Sequence, residues 1–390
     1  MTLKGIRIHT GLISACAIAV GLLTASALMG QQEDRASTRQ RAMALEQSGQ
    51  NAEAEQVWNG IAKADPQNAE ALAHLGLLEA RQEHYERSIA YYRQASAIDP
   101  DLPGLQMNLG LALFKAAQFP DAIRSFTAEL KKHPGDPRLT ILLGMAHYGM
   151  KDYLVAIPYL QRAAEQDPQS VALRITLAHS CLSSKQYPCV LNVCKEILAL
   201  KSDSAEADML SGEALEQIGD KAGAAKALRA GVEANPAQPQ LHFGLGYLLW
   251  TGNNWSEAAN EFQLEIQNNP EQTKVRIYLA DSWVHQGQFD KALPELEKLA
   301  ASNPAESMVH LDLGLIDARK GRTEDAIREL RMAEQSDPEE QESHIEIARL
   351  YQSVGKREEA KAELETARSL PLRSHASLEE TIDSVESPTP

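Results

Sequence analysis

Residues 241–270 read LHFGLGYLLWTGNNWSEAANEFQLEIQNNP. Two glycines stand among apolar and aromatic neighbours, followed by paired alanines, a phenylalanine and a closing proline. Taken alone, the first ten residues fit a buried strand, a glycine-rich nucleotide loop or a helix. The decision comes from what stands 34 residues to either side. Pro66, Pro100, Pro134 and Pro168 share one register with Pro236, Pro270, Pro304 and Pro338, and Ser202 fills the slot between the two runs. Ala42, Gly76, Gly110, Gly144, Ala178, Gly212, Gly246, Ala280, Gly314 and Ala348 keep the same interval. Twelve residues after each of these stand Ala54, Ser88, Ala122, Ala156, Val190, Ala224, Ala258, Ala292, Ala326 and Ala360.

Two helices approach closely only where both lack bulk. A Gly or Ala on a first helix facing an Ala on a second permits that approach. Trp58, Tyr92, Phe126, Leu160 and Phe262, four residues beyond the second site, fill the space beside it. Proline ends each unit, because it cannot continue a helix but is tolerated in the turn before the next. Gly49, Gly219, Gly287, Gly321 and Gly355 recur between the two helices, where a tight turn needs a permissive backbone.

Leu109-Gly110 … Ala122 … Phe126 … Pro134 and Leu245-Gly246 … Ala258 … Phe262 … Pro270 closely resemble the tetratricopeptide repeat (TPR) pattern. Ten units run from about residue 35 to 372. The resemblance implies an all-α protein: an α-solenoid, a right-handed TPR superhelix of antiparallel helix pairs. Repeat five departs most, with Val190, Cys194 and Ser202 at family positions, and looser packing is expected there. In the tail, Leu378, Ile382 and Val385 share one helical face and Ser377 with Glu380 makes a capping box. A capping helix over the open end of the array is therefore expected in residues 373–390, with disorder from Glu386 to Pro390.

Leu245-Gly246 is thus the packing pair of repeat seven, and GLG is no phosphate loop: no strand precedes it and the fingerprint is incomplete. Phe243, Tyr247 and Trp250 share another face of that helix. The resemblance implies that first helices line a concave surface and that these offsets face into it. The equivalent residues are Met107, Leu111 and Phe114 in repeat three and Ile141, Met145 and Tyr148 in repeat four. Repeat five gives Ile175, His179 and Leu182, and repeat six Met209, Glu213 and Glu216. Packing between adjacent repeats is the competing role for each. A surface of this kind suits an extended peptide or an amphipathic helix of a protein partner. The lysine, asparagine and arginine clamp with which some relatives grip chaperone carboxyl termini is missing at the matching positions.

The net charge of −16 argues against nucleic acid as a partner. H-E-x-x-H, G-x-S-x-G and P-loop patterns are absent, so neither an enzyme nor a cofactor is expected. His242, His310 and His344 recur at one repeat position, where a helix-interface role is expected rather than metal ligation. Cys181, Cys189 and Cys194 all fall in repeat five. They fit either buried thiols or a bridge from Cys181 to one of the others.

Residues 1–30 have the form of an export leader. Lys4 and Arg7 precede an uncharged run from Gly11 to Gly30, with Ala25-Ser26-Ala27 as an A-x-A site. Cleavage after Ala27 and retention of residues 11–30 as a membrane anchor are both open; either places the repeats outside the cytoplasm. The expected protein is a non-enzymatic interaction scaffold, exported or anchored in a bacterial cell envelope. Alternatives are an inner-membrane-tethered assembly or regulatory factor of envelope biogenesis and an accessory subunit of an enzyme complex. Oligomeric state is not legible.

Overall fold

The computed structural model describes residues 36–371, 375–378 and 380–382. Among them the chain is helical throughout, as ten consecutive helix pairs and one short helical turn. The leader and the residues from 383 onward, where an export signal and a disordered end are expected, lie outside this description. No helix among the described residues is long and apolar enough to cross a membrane.

The chain divides into two compact units, residues 1–163 and 164–390. In the first unit, α1 (36–47) pairs with α2 (Asn51–Ala64) and α3 (Ala69–Arg81) with α4 (Tyr85–Ile98). Next come α5 (Leu105–Lys115) with α6 (Phe119–Lys132), then α7 (Pro137–Gly149) and α8 (Tyr153–Gln166). The second unit contains α9 (Val171–Ser183), α10 (Tyr187–Leu200), α11 (Ala205–Gln217), α12 (Lys221–Ala234), α13 (Leu241–Thr251) and α14 (Trp255–Asn268). It continues with α15 (Thr273–His285), α16 (Phe289–Ser302), α17 (Ser307–Arg319), α18 (Thr323–Ser336), α19 (Gln341–Ser353) and α20 (Arg357–Ser369).

The 34-residue pattern acts as a packing code. At Gly110 an added Cβ would lie 2.5 Å from the Phe126 ring, and at Gly246 2.7 Å from Phe262. Gly212 and Gly314 stand against Leu228 and Leu330 in the same way. The first-helix glycine therefore seats the large side chain of its partner helix, and the second-helix alanine, fully buried at positions 122, 224, 258 and 326, lets the backbones close. Asn68, Ser170 and Ser204 cap first helices by accepting the N–H groups of Ala71, Leu173 and Ala207.

A polar clamp recurs on this frame. His242 Nδ1 lies 2.7 Å from Glu261 Oε2, and its Nε2 is 3.1 Å from the Pro236 carbonyl. His310 repeats both contacts with Glu329 and Pro304, and Arg276 does so with Glu295 and Pro270. His344 Nδ1 lies 2.7 Å from Glu363. The repeated histidine ties first helix to second helix within one repeat, which is the interface role expected of it. Arg331 hydrogen-bonds Glu334 and Glu363, so this acidic pair beside His344 already holds a cation.

Repeat five is closely packed, contrary to expectation. Val190 and Cys194 are fully buried. Cys181 and Cys189 form a disulfide across the α9–α10 hairpin, and Cys194 is a free thiol whose pKa burial pushes up to about 11.

Candidate functional site

The first-helix face differs sharply between α5 and α7 of the first unit and α13 of the second, while Ile175 and His179 on α9 and Met209 on α11 are half-buried. On α5, Met107 and Phe114 are half-buried and Leu111 is 36% exposed. On α7, Ile141, Met145 and Tyr148 are half-buried. Their neighbours on the other face, Leu109, Gly110, Leu143 and Gly144, are buried against the second helices. These six residues therefore form accessible apolar surface on successive first helices of one unit, with Phe114 edge-on to Phe119 and Tyr148 edge-on to Tyr153.

On α13 every residue from Leu241 to Trp250 is buried. Phe243, Tyr247 and Trp250, expected to show their rings to a partner, are 0%, 2% and 7% exposed. Part of the reason lies in the next repeat. Tyr278 of α15 packs edge-on to Tyr247 at 5.5 Å and to Trp250 at 5.0 Å between ring centroids. Trp250 Nε1 also donates a hydrogen bond to buried Asp281. His285 sits beside the same carboxylate, which holds the imidazole above its ordinary pKa.

The rest of the cover is the chain's own tail. Tyr247 Oη donates to the Ala376 carbonyl at 2.6 Å, and the His375 ring stands edge-on to Trp250 at 4.7 Å. Leu378 and Ile382 join the core formed by Phe243, Tyr247 and Trp250. Gly244 lies under both anchors, where a Cβ would stand 3.4 Å from Ile382 Cδ1 and 3.6 Å from Leu378 Cδ1, ordinary van der Waals contact. Glu216 of α11 faces the Leu378 backbone N–H, and burial raises the pKa of that carboxyl. Glu216 would read in sequence as part of a solvated acidic face; it faces the first turn of the tail helix, where negative charge is favoured.

The capping box forms as expected: Glu380 N donates to Ser377 Oγ and Ser377 N to Glu380 Oε2, both at 3.2 Å. Its helix lies elsewhere than expected. Where a cap over the open end was foreseen, Leu378 and Ile382 pack in the core of repeat seven. Apolar spacing announces the helix, but its docking site depends on where Tyr247 and Glu216 come together. Tyr278, Asp281 and His375 carried no sequence signal of their own.

Stacked helix hairpins in one unbroken series define a class of protein: an α-solenoid built from repeats. Models described as "Tetratricopeptide repeat" match residues 39–103, 107–171, 147–211, 195–239, 209–273 and 279–340. The chain belongs to the tetratricopeptide repeat family. It is 22% identical over 208 residues to the BBSome complex member BBS4 of Bos taurus, covering 53% of this chain and 40% of that one. It is 26% identical over 157 residues to intraflagellar transport protein 70A of Xenopus tropicalis, covering 40% of this chain and 23% of that one. The chain thus spans less than half the length of these relatives. The solved C-terminal part of a TPR repeat-containing protein from Cytophaga hutchinsonii superposes with a TM-score of 0.52 at 14% identity, covering 62% of this chain and 98% of that one.

Proposed function

We propose that the protein is a non-enzymatic scaffold that binds a peptide or amphipathic helix of a protein partner on its first-helix face. In the first unit Met107, Leu111, Phe114, Ile141, Met145 and Tyr148 offer the contact surface. The observation that carries this reading is the accessibility of those six residues while the equivalent trio of α13 holds a peptide-like segment. Family membership supports a binding role, and the cattle relative is named as a member of a complex. The proposed setting is outside the cytoplasm, in a bacterial envelope. The leader-like residues 1–30 support it, and so does the Cys181–Cys189 disulfide, since such bonds persist in oxidising compartments. The uncharged run from Gly11 to Gly30 favours one second reading, a factor of envelope assembly tethered at the inner membrane.

Photo-crosslinking residues placed at Leu111 and Tyr148 test the scaffold reading, with Arg124 on a second helix as the control position. A discrete adduct from the first two sites and none from the control is expected in the native cell. Equal labelling from all three would overturn the reading. The mass of the mature chain separates a start after Ala27 from a retained leader.

A further inference from the structure

The segment on α13 is held as a ligand is held. One of its carbonyls, on Ala376, accepts a hydrogen bond from Tyr247, and the Leu378 N–H faces the Glu216 carboxylate. Leu378 and Ile382, one helical turn apart, enter an apolar core and are 0% and 4% exposed. Thr381, 1% exposed, keeps its hydroxyl satisfied within its own turn by donating to the Ser377 carbonyl. The helical turn is too short to persist alone, so its order depends on this surface and on the Ser377–Glu380 box. It begins a few residues after α20 ends at Ser369, so it reaches the surface as a tethered chain.

We propose that residues 375–382 are a built-in ligand closing the surface formed by α11, α13 and α15, and that the partner accepted there is a short amphipathic helix of the same chemistry, with an S-x-x-E start and two aliphatic side chains one turn apart. This rests on the scaffold reading above. A tethered segment competes at an effective concentration in the millimolar range, so a free helix of equal affinity is excluded until the tail is released or outcompeted. The aromatic wall of Tyr247, Trp250 and Tyr278 then stays covered between partners, which keeps a large apolar patch out of water.

A labelled peptide of residues 371–385 (PLRSHASLEETIDSV) is the probe. Its binding by anisotropy is compared in the full chain and in the full chain carrying Leu378→Asp and Ile382→Asp. The tail-released chain is expected to bind at least about tenfold more tightly, and adding Tyr247→Phe is expected to remove most of that gain. Equal binding by both chains, or none by a folded released chain, would overturn the proposal. Hydrogen exchange of the wild-type chain supplies a readout that needs no substitution. Amides of residues 380–382 should exchange through a local opening; exchange only on global unfolding would make the segment a fixed part of the core. A wild-type dimer that the two Asp substitutions dissolve would assign the segment to a second copy and overturn closure within one chain. Crosslinks from Leu111 and Tyr148 do not involve the tail. Their persistence when the peptide fails would sink this inference alone, and their loss would sink the scaffold reading.

Discussion

Asp312 lies on α17, fully buried, with its carboxyl facing that of Asp281. Burial, with Asp281 and Glu342 nearby, holds its pKa well above the carboxylate range. A raised folded pKa stabilises the fold fully below the unfolded value near 4, and that contribution is lost as pH rises through the folded value. Asp312→Asn should therefore raise stability at pH 8, by about 1–3 kcal/mol, and flatten the decline of melting temperature with pH. An unchanged pH profile would show that Asp312 finds compensation elsewhere. His242 acts in the same direction at higher pH. Its two ring nitrogens face two acceptors, the Glu261 carboxylate foremost, and its pKa is raised. That stabilisation is complete below about pH 6.5 and is lost as pH rises through the raised value. Melts of His242→Gln should show a shallower pH dependence above about pH 6.5, with the share of His285 remaining.

At the scale of helix pairs, the glycines divide by what they face. Gly110 stands against the Phe126 ring, and a methyl group there has no room. Gly110→Ala should cost about 1–3 kcal/mol through overpacking. Gly60 lies within α2 with open space beyond it, so Gly60→Ala should gain about 1 kcal/mol from helix propensity. Paired denaturant titrations read both signs, and two changes of the same sign would refute the packing code. This code was legible in sequence because it is local: Leu245-Gly246, Ala258, Phe262 and Pro270 announce a helix pair within one repeat. The expected looseness of repeat five was wrong for a related reason. Val190 and Cys194 are as small or as apolar as that interface requires, and the departure from the family's residue types left the volume intact.

At the scale of the whole molecule, helix pairs within each unit rest on their neighbours, so a local loss is felt nearby rather than everywhere. Reduction of Cys181–Cys189, which closes a short loop with a sequence separation of 8, should cost about 2–3 kcal/mol in the α9–α10 hairpin. Hydrogen exchange should show the loss concentrated in α9, α10 and α11, with α17 to α20 unaffected. Uniform loss across the second unit would mean that it unfolds as one cooperative body.

The sequence alone determined the repeat and which residues share a helix face, because these follow from spacing along one chain. It placed Phe243, Tyr247 and Trp250 together with Leu378 and Ile382 each on an apolar face, without joining them. Only the tertiary structure decided that the second face covers the first. That contact joins residues more than a hundred positions apart, and it exists because the aromatic face of α13, with Tyr247, and Glu216 of α11 converge on one short turn.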